Sequence, residues 1–271
     1  MARVLRHLLA ERWDRYRREL KACRRKFCAE SVHESRVAAR RLRAALELLA
    51  EALDVKGLAR VQRALKRHLD LFAPLRDAQV QRSFLPALRL PTATAKGYDA
   101  FLRRREKHAA RRARRGVSGL KTRRLAKLVA VLDRELELQA QGLVRRRLTD
   151  PVGKRFRRVG VLHSRVRADR PSTIHRSRVA FKRFRYSVEL LTPFLPQLTP
   201  GRIGALRRHQ ALLGAVQDAC VMQAWFAQFA VASELDLAVA ERLRQKLATR
   251  LERAVARALQ HAGALKQFWP L

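Results

Sequence analysis

Apolar residues recur at three- and four-residue intervals along most of the chain, which is the spacing of amphipathic helices. No convincing alternation of apolar and polar residues predicts a β-strand. The pattern is interrupted by turn and cap residues, as in "FAPLRD", "RRGVSG", "TDPVG" and "FLPQLTPG". We therefore predict an all-α fold with shorter helical pieces after Asp77 and Asp218. The longer helices are predicted near residues 3–27, 31–53, 57–73, 96–115, 120–148, 152–168, 173–192, 201–215 and 234–265.

Two blocks of sequence occur twice. "HESRVAARRLRAALELL" (33–49) and "HRSRVAFKRFRYSVELL" (175–191) share ten of seventeen residues at an offset of 175 − 33 = 142. "LKRHLDLFAPLRDAQV" (65–80) and "LRRHQALLGAVQDACV" (206–221) share seven of sixteen residues at an offset of 141. Two blocks in the same order at nearly one offset indicate an internal duplication. The sequence thus predicts two similar helical bundles in tandem, residues 1–148 and 149–271, that pack together.

One side of each repeated helix carries cations. On a helical wheel the apolar residues between Ala38 and Leu49 lie on one side of the first segment, and the basic residues lie on the other sides. The second segment has the same arrangement, and Ser31 and Ser172 are predicted N-caps just ahead of the two segments. The basic set comprises His33, Arg36, Arg40, Arg41 and Arg43 in the first segment and His175, Arg178, Lys182, Arg183 and Arg185 in the second.

A run of cations on one helix is most simply a solvated face. Solvated faces usually mix signs, however, because like charges four residues apart repel. The cationic face of each copy has one acid here, Glu47 or Glu189, four residues after an arginine. That acid is predicted to orient one arginine and leave the other cations unpaired. Because the unbalanced face occurs twice, it favours a binding function, and the forked guanidinium group suits phosphate oxygens.

The net charge of the whole chain makes several classes of anionic partner possible. The chain has 271 residues, with 61 Lys and Arg against 23 Asp and Glu, a formal net charge of +38. Such a chain attracts polyanions, so nucleic acid, an anionic membrane surface and inorganic phosphate polymers are all candidates. The 48% hydrophobic content is enough for a packed core. Three cysteines without a CxxC pair, and no apolar run long enough for a signal peptide or a membrane span, predict a soluble cytoplasmic protein.

Several other polar residues are of types that can carry chemistry. His68 and His209 lie beside apolar stripes and are predicted to be hydrogen-bonded core residues, while Asp77 and Asp218 are most simply structural partners of arginines. Dense positive charge and few nearby carboxylates disfavour a metal site. The run "RRREKHAARRARR" (103–115) fits a nucleic-acid patch and a solvated helix equally well. No phosphate loop, GxGxxG, HExxH or GxSxG motif is present, so no catalytic residue, metal or cofactor is predicted.

The repeated blocks resemble the two signature helices of the CHAD domain family, which is named for its histidines and its α-helical fold. The resemblance rests on HxxRVxxRRLR in the first half and HxxRxxxKRxRY in the second, each followed by an aspartate block, "RDAQV" or "QDACV". It extends over essentially the whole chain. It implies two four-helix bundles related by pseudo-two-fold symmetry, with basic residues lining a groove between them.

The resemblance also implies a ligand. Members of the family bind inorganic polyphosphate, and several associate with polyphosphate granules. By resemblance, the ten basic residues of the two segments would line the site, joined from the third helix of each half by Lys66, Arg67, Arg207 and Arg208. Many members are fused to a CYTH-type triphosphate tunnel domain, but this sequence has no ExExK signature of that domain. The long helix predicted near 120–148 has no counterpart in the second half.

The resulting hypothesis is a non-enzymatic polyphosphate-binding protein of the cytoplasm and its polyphosphate granules. Only 6% of the residues are aromatic, so nucleic acid is expected as a weaker competitor that lacks stacking partners. Two alternatives remain open: a protein that binds RNA or DNA, and a phosphohydrolase that uses a histidine as phosphoryl acceptor. The two basic helices are expected to act as linked sites, so that a short polymer detects substitutions only in the half it occupies.

Overall fold

The computed structural model describes residues 1–56, 58–139 and 145–261, together with residues 265, 268 and 269. The described residues form α-helices and two single-turn 3₁₀ helices, and no β-strand, so the predicted fold class is confirmed. The α-helices are α1 (Ala2–Arg25), α2 (Ala29–Ala52), α3 (Leu58–Leu71), α4 (Ala73–Phe84), α5 (Thr92–Ser118), α6 (Arg123–Leu138), α7 (Arg145–His163), α8 (Pro171–Leu191), α9 (Pro200–Ala232) and α10 (Leu237–Gln260). The 3₁₀ helices are Pro86–Leu88 and Thr192–Phe194.

Two of the predicted helix boundaries are wrong. Within the long helix predicted near 120–148, α6 ends at Leu138 and α7 begins at Arg145, while residues 140–144 lie outside the described residues. The break predicted at "TDPVG" lies inside α7, which continues through Pro151. Proline removes one helical donor, but Leu148, Pro151 and Val152 are all buried, so packing against the core holds this turn helical. The predicted division between residues 148 and 149 therefore falls within a helix, and the two-repeat partition stays a prediction.

Helix α9 is longer than its sequence pattern indicates. The predicted helix near 201–215 and the separate piece after Asp218 form one continuous helix of 33 residues, about 50 Å long. Apolar residues lie on several sides of this segment, which weakens the periodic signal used to place its end. Its first half buries Leu206 and Leu213 in one core, and its second half buries Phe226 and Phe229 in another. The helix thus belongs to both cores.

Local capping explains where several helices begin. Thr199 accepts a hydrogen bond from the Arg202 amide at 3.3 Å at the start of α9, and Asp236 accepts one from the Val239 amide at 3.0 Å at the start of α10. The predicted cap Ser31 is instead the third residue of α2, where its hydroxyl accepts the Cys28 amide hydrogen at 3.1 Å. Ser172 is likewise inside α8, because Pro171 starts that helix one residue earlier.

Two hydrophobic cores hold the helices together. The larger contains residues from Leu5 to Trp269 and therefore draws on both predicted halves. The smaller joins Leu88 and Tyr98 of the first half to residues of α9 and α10, such as Phe226 and Leu243. Both cores thus cross the predicted boundary between the halves. None of the described helices is long and apolar enough to cross a membrane.

Helix α2 occupies a central position. It packs against α1, α3, α7 and α8, so it is buried on more than the single apolar side that its wheel indicates. Ala39, Ala44 and Leu48 are buried in addition to the predicted apolar stripe. Small alanine side chains allow neighbouring helices to approach on these extra sides. The consequence for function is that α2 and α8, the two cation-bearing helices, lie against each other.

Candidate functional site

Cations of the two repeated helices converge where α2 meets α8. The central cluster consists of Arg36 and Arg40 on α2 and of Arg178 and Lys182 on α8. Arg40, Arg178 and Arg36 are the nearby charges that act most strongly on Lys182, and Arg40 also acts on Arg178. Within residues 1–56, 58–139 and 145–261 no ion pair to a carboxylate involves any of the four. The structure therefore brings four predicted site residues together without neutralising them by direct pairing.

Burial disfavours the positively charged forms of these side chains. Burial, followed by repulsion from Arg40 and Arg178, lowers the pKa of Lys182 to about 6. Burial, followed by the positive charge of Arg40, lowers the pKa of Arg36 to about 10. Arg36 is only 7% exposed, and its Nη1 donates to the backbone oxygen of Leu69 at 3.1 Å. Arg36 is therefore buried although it lies outside the apolar stripe of the helical wheel, because α3 covers it.

Two aspartates, one from each repeat, stand among the cations. Asp77 on α4 is influenced by Arg36, Arg178 and Arg40, and Asp218 on α9 by Arg178. Partial burial raises the pKa of Asp218, and Arg178 opposes that rise. The two carboxylates also influence each other, so α4 and α9 bring the equivalent acids of the repeat to the same place. They reduce the net charge of the cluster without pairing directly with any of its cations.

Arg76 is a cation of this region that was not among the predicted site residues. It lies in "RDAQV" beside Asp77, and it acts on His33, Arg36 and Asp218. Its equivalent in the second repeat is Gln217, whose side-chain oxygen accepts a hydrogen bond from His175 Nδ1. The signal that could have identified it is its position one residue before the repeated aspartate. The two exposed histidines thus occupy similar positions with different neighbours.

Four predicted cations are held by the two acids of the repeated helices. Glu47, which is 4% exposed, binds Arg43 Nε at 2.7 Å and Arg183 Nη2 at 3.0 Å. Glu189 binds Arg185 Nη1 at 2.5 Å and Arg207 Nε at 3.3 Å. The prediction that each acid holds one arginine is wrong, since each holds two. The additional partner comes from another helix, so no pattern within the helix of the acid indicates it.

The remaining predicted residues lie at the periphery. Arg41 faces a cavity of about 480 Å³ that is also lined by Arg12 and Arg15 of α1 and by Glu189. The exposed side chains are His33 and His175 and, on α3 and α9, Lys66, Arg67 and Arg208. The structure therefore divides the predicted set into a central cluster, four arginines that pair with Glu47 or Glu189, and a periphery.

The second pair of repeated blocks, 65–80 and 206–221, has one histidine in each copy, and both histidines are core residues. His68 is 1% exposed and is hydrogen-bonded through Nδ1 to Tyr16 Oη at 3.1 Å and through Nε2 to Ser35 Oγ at 3.2 Å. His209 is 3% exposed, and its ring centroid lies 4.6 Å from that of Phe181. Neither of its ring nitrogens has a hydrogen-bond partner among the described residues, so the prediction that His209 is hydrogen-bonded is wrong. Burial lowers the pKa of His68 to about 3 and that of His209 to about 4. In the part of the chain that is described, no three His, Cys, Asp or Glu side chains come together as metal ligands.

Comparison with known proteins places the chain in a family. The model of the CHAD domain matches residues 7–227. The crystal structure of the CHAD domain from the plant Ricinus communis superposes with a TM-score of 0.70 and 21% identity, covering 96% of this chain and 91% of that one. PptA from Streptomyces chartreusis superposes with a TM-score of 0.69 and 19% identity, covering 97% of this chain and 99% of that one. No curated protein matches the sequence. Because the family model matches well over half of its length, the chain belongs to the CHAD domain family.

Proposed function

We propose that this protein binds inorganic polyphosphate, without hydrolysing it, at the central cluster between α2 and α8. The observation that carries the proposal is the convergence of Arg36, Arg40, Arg178 and Lys182 from both repeats, none of them in an ion pair with a described acid. A linear chain of phosphates supplies closely spaced negative charge that can satisfy several such donors at once. Family membership supports the same ligand. Association with polyphosphate granules is part of this proposal.

The surroundings of the cluster favour an anion without bases. Tyr186 lies under the Arg185 guanidinium at 4.3 Å but is only 9% exposed, so it offers no free ring surface. The large hydrophobic residues that are exposed in the described ranges are aliphatic. Proteins that bind single strands usually stack bases on aromatic side chains. RNA should therefore gain little at this position beyond its phosphate contacts.

Polyphosphate affinity should fall steeply with salt. Each phosphate contact releases condensed counterions and adds somewhat less than one unit to the slope of log K against log salt. With the central cluster and Arg76 engaged, we expect a slope of about −3 or steeper in titrations from low to moderate salt. A slope weaker than about −2 would contradict an extended contact with these cations. In the same titration, RNA of matched total charge should displace labelled polyphosphate poorly, and equal displacement would contradict a selective site.

Long-chain polyphosphate should raise the melting temperature. Ligand binding to the folded state alone stabilises it by about 2.7 kcal/mol at a hundredfold excess over Kd. Bound phosphates would also relieve repulsion within a chain of net charge +38. Differential scanning fluorimetry with long-chain polyphosphate and with orthophosphate at equal phosphate concentration tests this expectation. Equal shifts from both would indicate a generic ion effect and not a polymer site.

The proposed absence of hydrolysis has a direct test. Asp77 and Asp218 stand among the central cations, but the described residues contain no group of three His, Cys, Asp or Glu side chains that could hold a metal ion. We expect the polymer length to remain unchanged after prolonged incubation with the protein and Mg²⁺, as judged by gel electrophoresis and by released phosphate. Phosphate release that follows protein concentration and is lost in a His33→Ala or His175→Ala variant would favour a phosphohydrolase.

A further inference from the structure

Helix α5 carries a second concentration of positive charge, on a helix that packs against α3, α4 and α9. Its sequence contains nine Lys and Arg residues but only two acids, Asp99 and Glu106. Arg82 of α4 binds Asp99 at 3.2 Å and Glu106 at 2.5 Å, and Arg103 binds Asp99 at 2.6 Å. Both acids of α5 are therefore occupied, and they are not available to neutralise the outer cations of the helix.

The outer cations of α5 form a row. Arg104, His108, Arg111 and Arg115 are spaced three or four residues apart, so they project from one side of the helix over a length of about 16 Å. All four side chains are exposed. No ion pair in the described ranges involves Arg104, Arg111 or Arg115. Like charges at this spacing repel one another, so an anion that follows the row would relieve that repulsion.

An aromatic pocket opens beside this row. A cavity of about 410 Å³ is lined by the rings of Phe101 and Trp225 and by Arg104, Arg105, His108 and Arg112. The Arg105 guanidinium lies 4.5 Å from the Trp225 ring centroid and 5.2 Å from that of Phe101. Its Nη1 also donates to Gln228 Oε1 at 2.6 Å. Arg105 and Trp225 therefore hold each other in place, and both line the pocket beside the cationic row.

We propose that α5 and Trp225 form a binding site for single-stranded nucleic acid, separate from the central cluster. One base would enter the pocket and stack on the Trp225–Arg105 surface, while neighbouring phosphates contact the row from Arg104 to Arg115. Cationic rows beside aromatic or guanidinium stacking surfaces are how proteins hold single strands. Polyphosphate has no group that fits the apolar part of the pocket, and the bases of a duplex are not free to enter it.

The proposal is tested by comparing a strand that carries bases with a strand that has only the sugar-phosphate backbone. A short labelled oligothymidylate and an abasic strand with the same number of phosphates are titrated with the full-length protein by fluorescence anisotropy. We expect the oligothymidylate to bind at least about fivefold more tightly, since stacking on an aromatic side chain contributes that much per base. Trp225→Leu should remove the difference between the two strands, whereas Trp225→Phe should keep part of it.

Charge-reversal variants provide a second test of the same proposal. Reversing Arg104 and Arg111 to Glu should weaken the binding of both strands at least tenfold, because phosphate contacts with the row are lost. Reversing Lys127 and Arg134, which are exposed on α6, makes the same change in net charge and should have a much smaller effect. Circular dichroism and melting curves establish that each variant is folded. Arg178→Gln, in the central cluster, should leave oligothymidylate binding unchanged, which separates this site from the polyphosphate proposal.

Three results would overturn the proposal. Equal affinity of the abasic strand and the oligothymidylate for the unaltered protein would mean that the row is a general anion surface. A base preference that survives in the folded Trp225→Leu variant would place the stacking surface elsewhere. Competition by thymidine monophosphate as effective as that by the strand would mean that the pocket takes a free nucleotide.

Discussion

Neutralising Arg40 or Arg178 should weaken polyphosphate binding by about tenfold or more, while neutralising Arg43 or Arg183 should weaken it less than about threefold. All four are arginines of the same two helices, and all four are changed to Gln. A hydrogen bond to a charged group contributes about 1.5–3 kcal/mol, which corresponds to at least a tenfold change in affinity. Arg40 and Arg178 are free to make such bonds, whereas Glu47 already holds Arg43 and Arg183.

The two control variants are well matched to the test variants. Arg43→Gln leaves Glu47 paired with Arg183, and Arg183→Gln leaves it paired with Arg43, so neither change strands a buried acid. The measurement is fluorescence anisotropy with labelled long-chain polyphosphate at one fixed salt concentration, after circular dichroism shows that each variant is folded. Equal losses for all four variants would mean that affinity follows total charge and that the central cluster is not a distinct site.

The length of the polyphosphate provides a further test with the same variants. The sequence pattern predicts two linked contacts, so that a short chain responds only to substitutions in one half. In the structure, Arg40 of the first repeat acts directly on Arg178 and Lys182 of the second. We therefore expect a short polyphosphate to lose affinity in both Arg40→Gln and Arg178→Gln. If short chains respond to only one of the two variants, the repeats form separate contacts.

Polyphosphate affinity should also fall as pH rises above about 7, by up to tenfold per pH unit. Burial, and then Arg40 and Arg178, lower the pKa of Lys182 to about 6, so its amine is largely neutral in the free protein at neutral pH. A bound polyanion favours the charged form and raises that pKa. Between the free and bound pKa values, binding takes up as much as one proton, and affinity decreases as protons become scarcer.

Lys182→Arg is the control for this pH dependence. Arginine stays protonated across the same range, so its variant should show a nearly flat affinity between pH 7 and pH 9. The other charges that act on Lys182 all come from arginines, namely Arg36, Arg40, Arg178 and Arg185. Isothermal titration calorimetry in buffers of different ionisation enthalpy measures the proton uptake directly. A flat profile in the unaltered protein, or the same slope in Lys182→Arg, would contradict the assignment to Lys182.

Helical periodicity and the internal repeat were sufficient to predict the all-α fold and the two cation-bearing helices. Both signals are local, because a helical wheel depends only on spacing within one segment and a repeat only on residue identity. For the same reason they place Arg36, Arg40, Arg178 and Lys182 among the candidates. They also lead to the correct expectation that His68 is a buried, hydrogen-bonded residue, since it lies beside an apolar stripe.

Only the tertiary structure decides which cations remain unpaired. Glu47 binds Arg183, 136 residues away, and Glu189 binds Arg207. These ion pairs arise from the packing of helices, so no local sequence pattern indicates them. Packing also covers Arg36 and brings Arg76 to the site from α4. Charge type and spacing are properties of the sequence, but burial and pairing are properties of the contacts between distant segments. The sequence alone therefore determined which residues could bind an anion, and the fold determined which of them are free to do so.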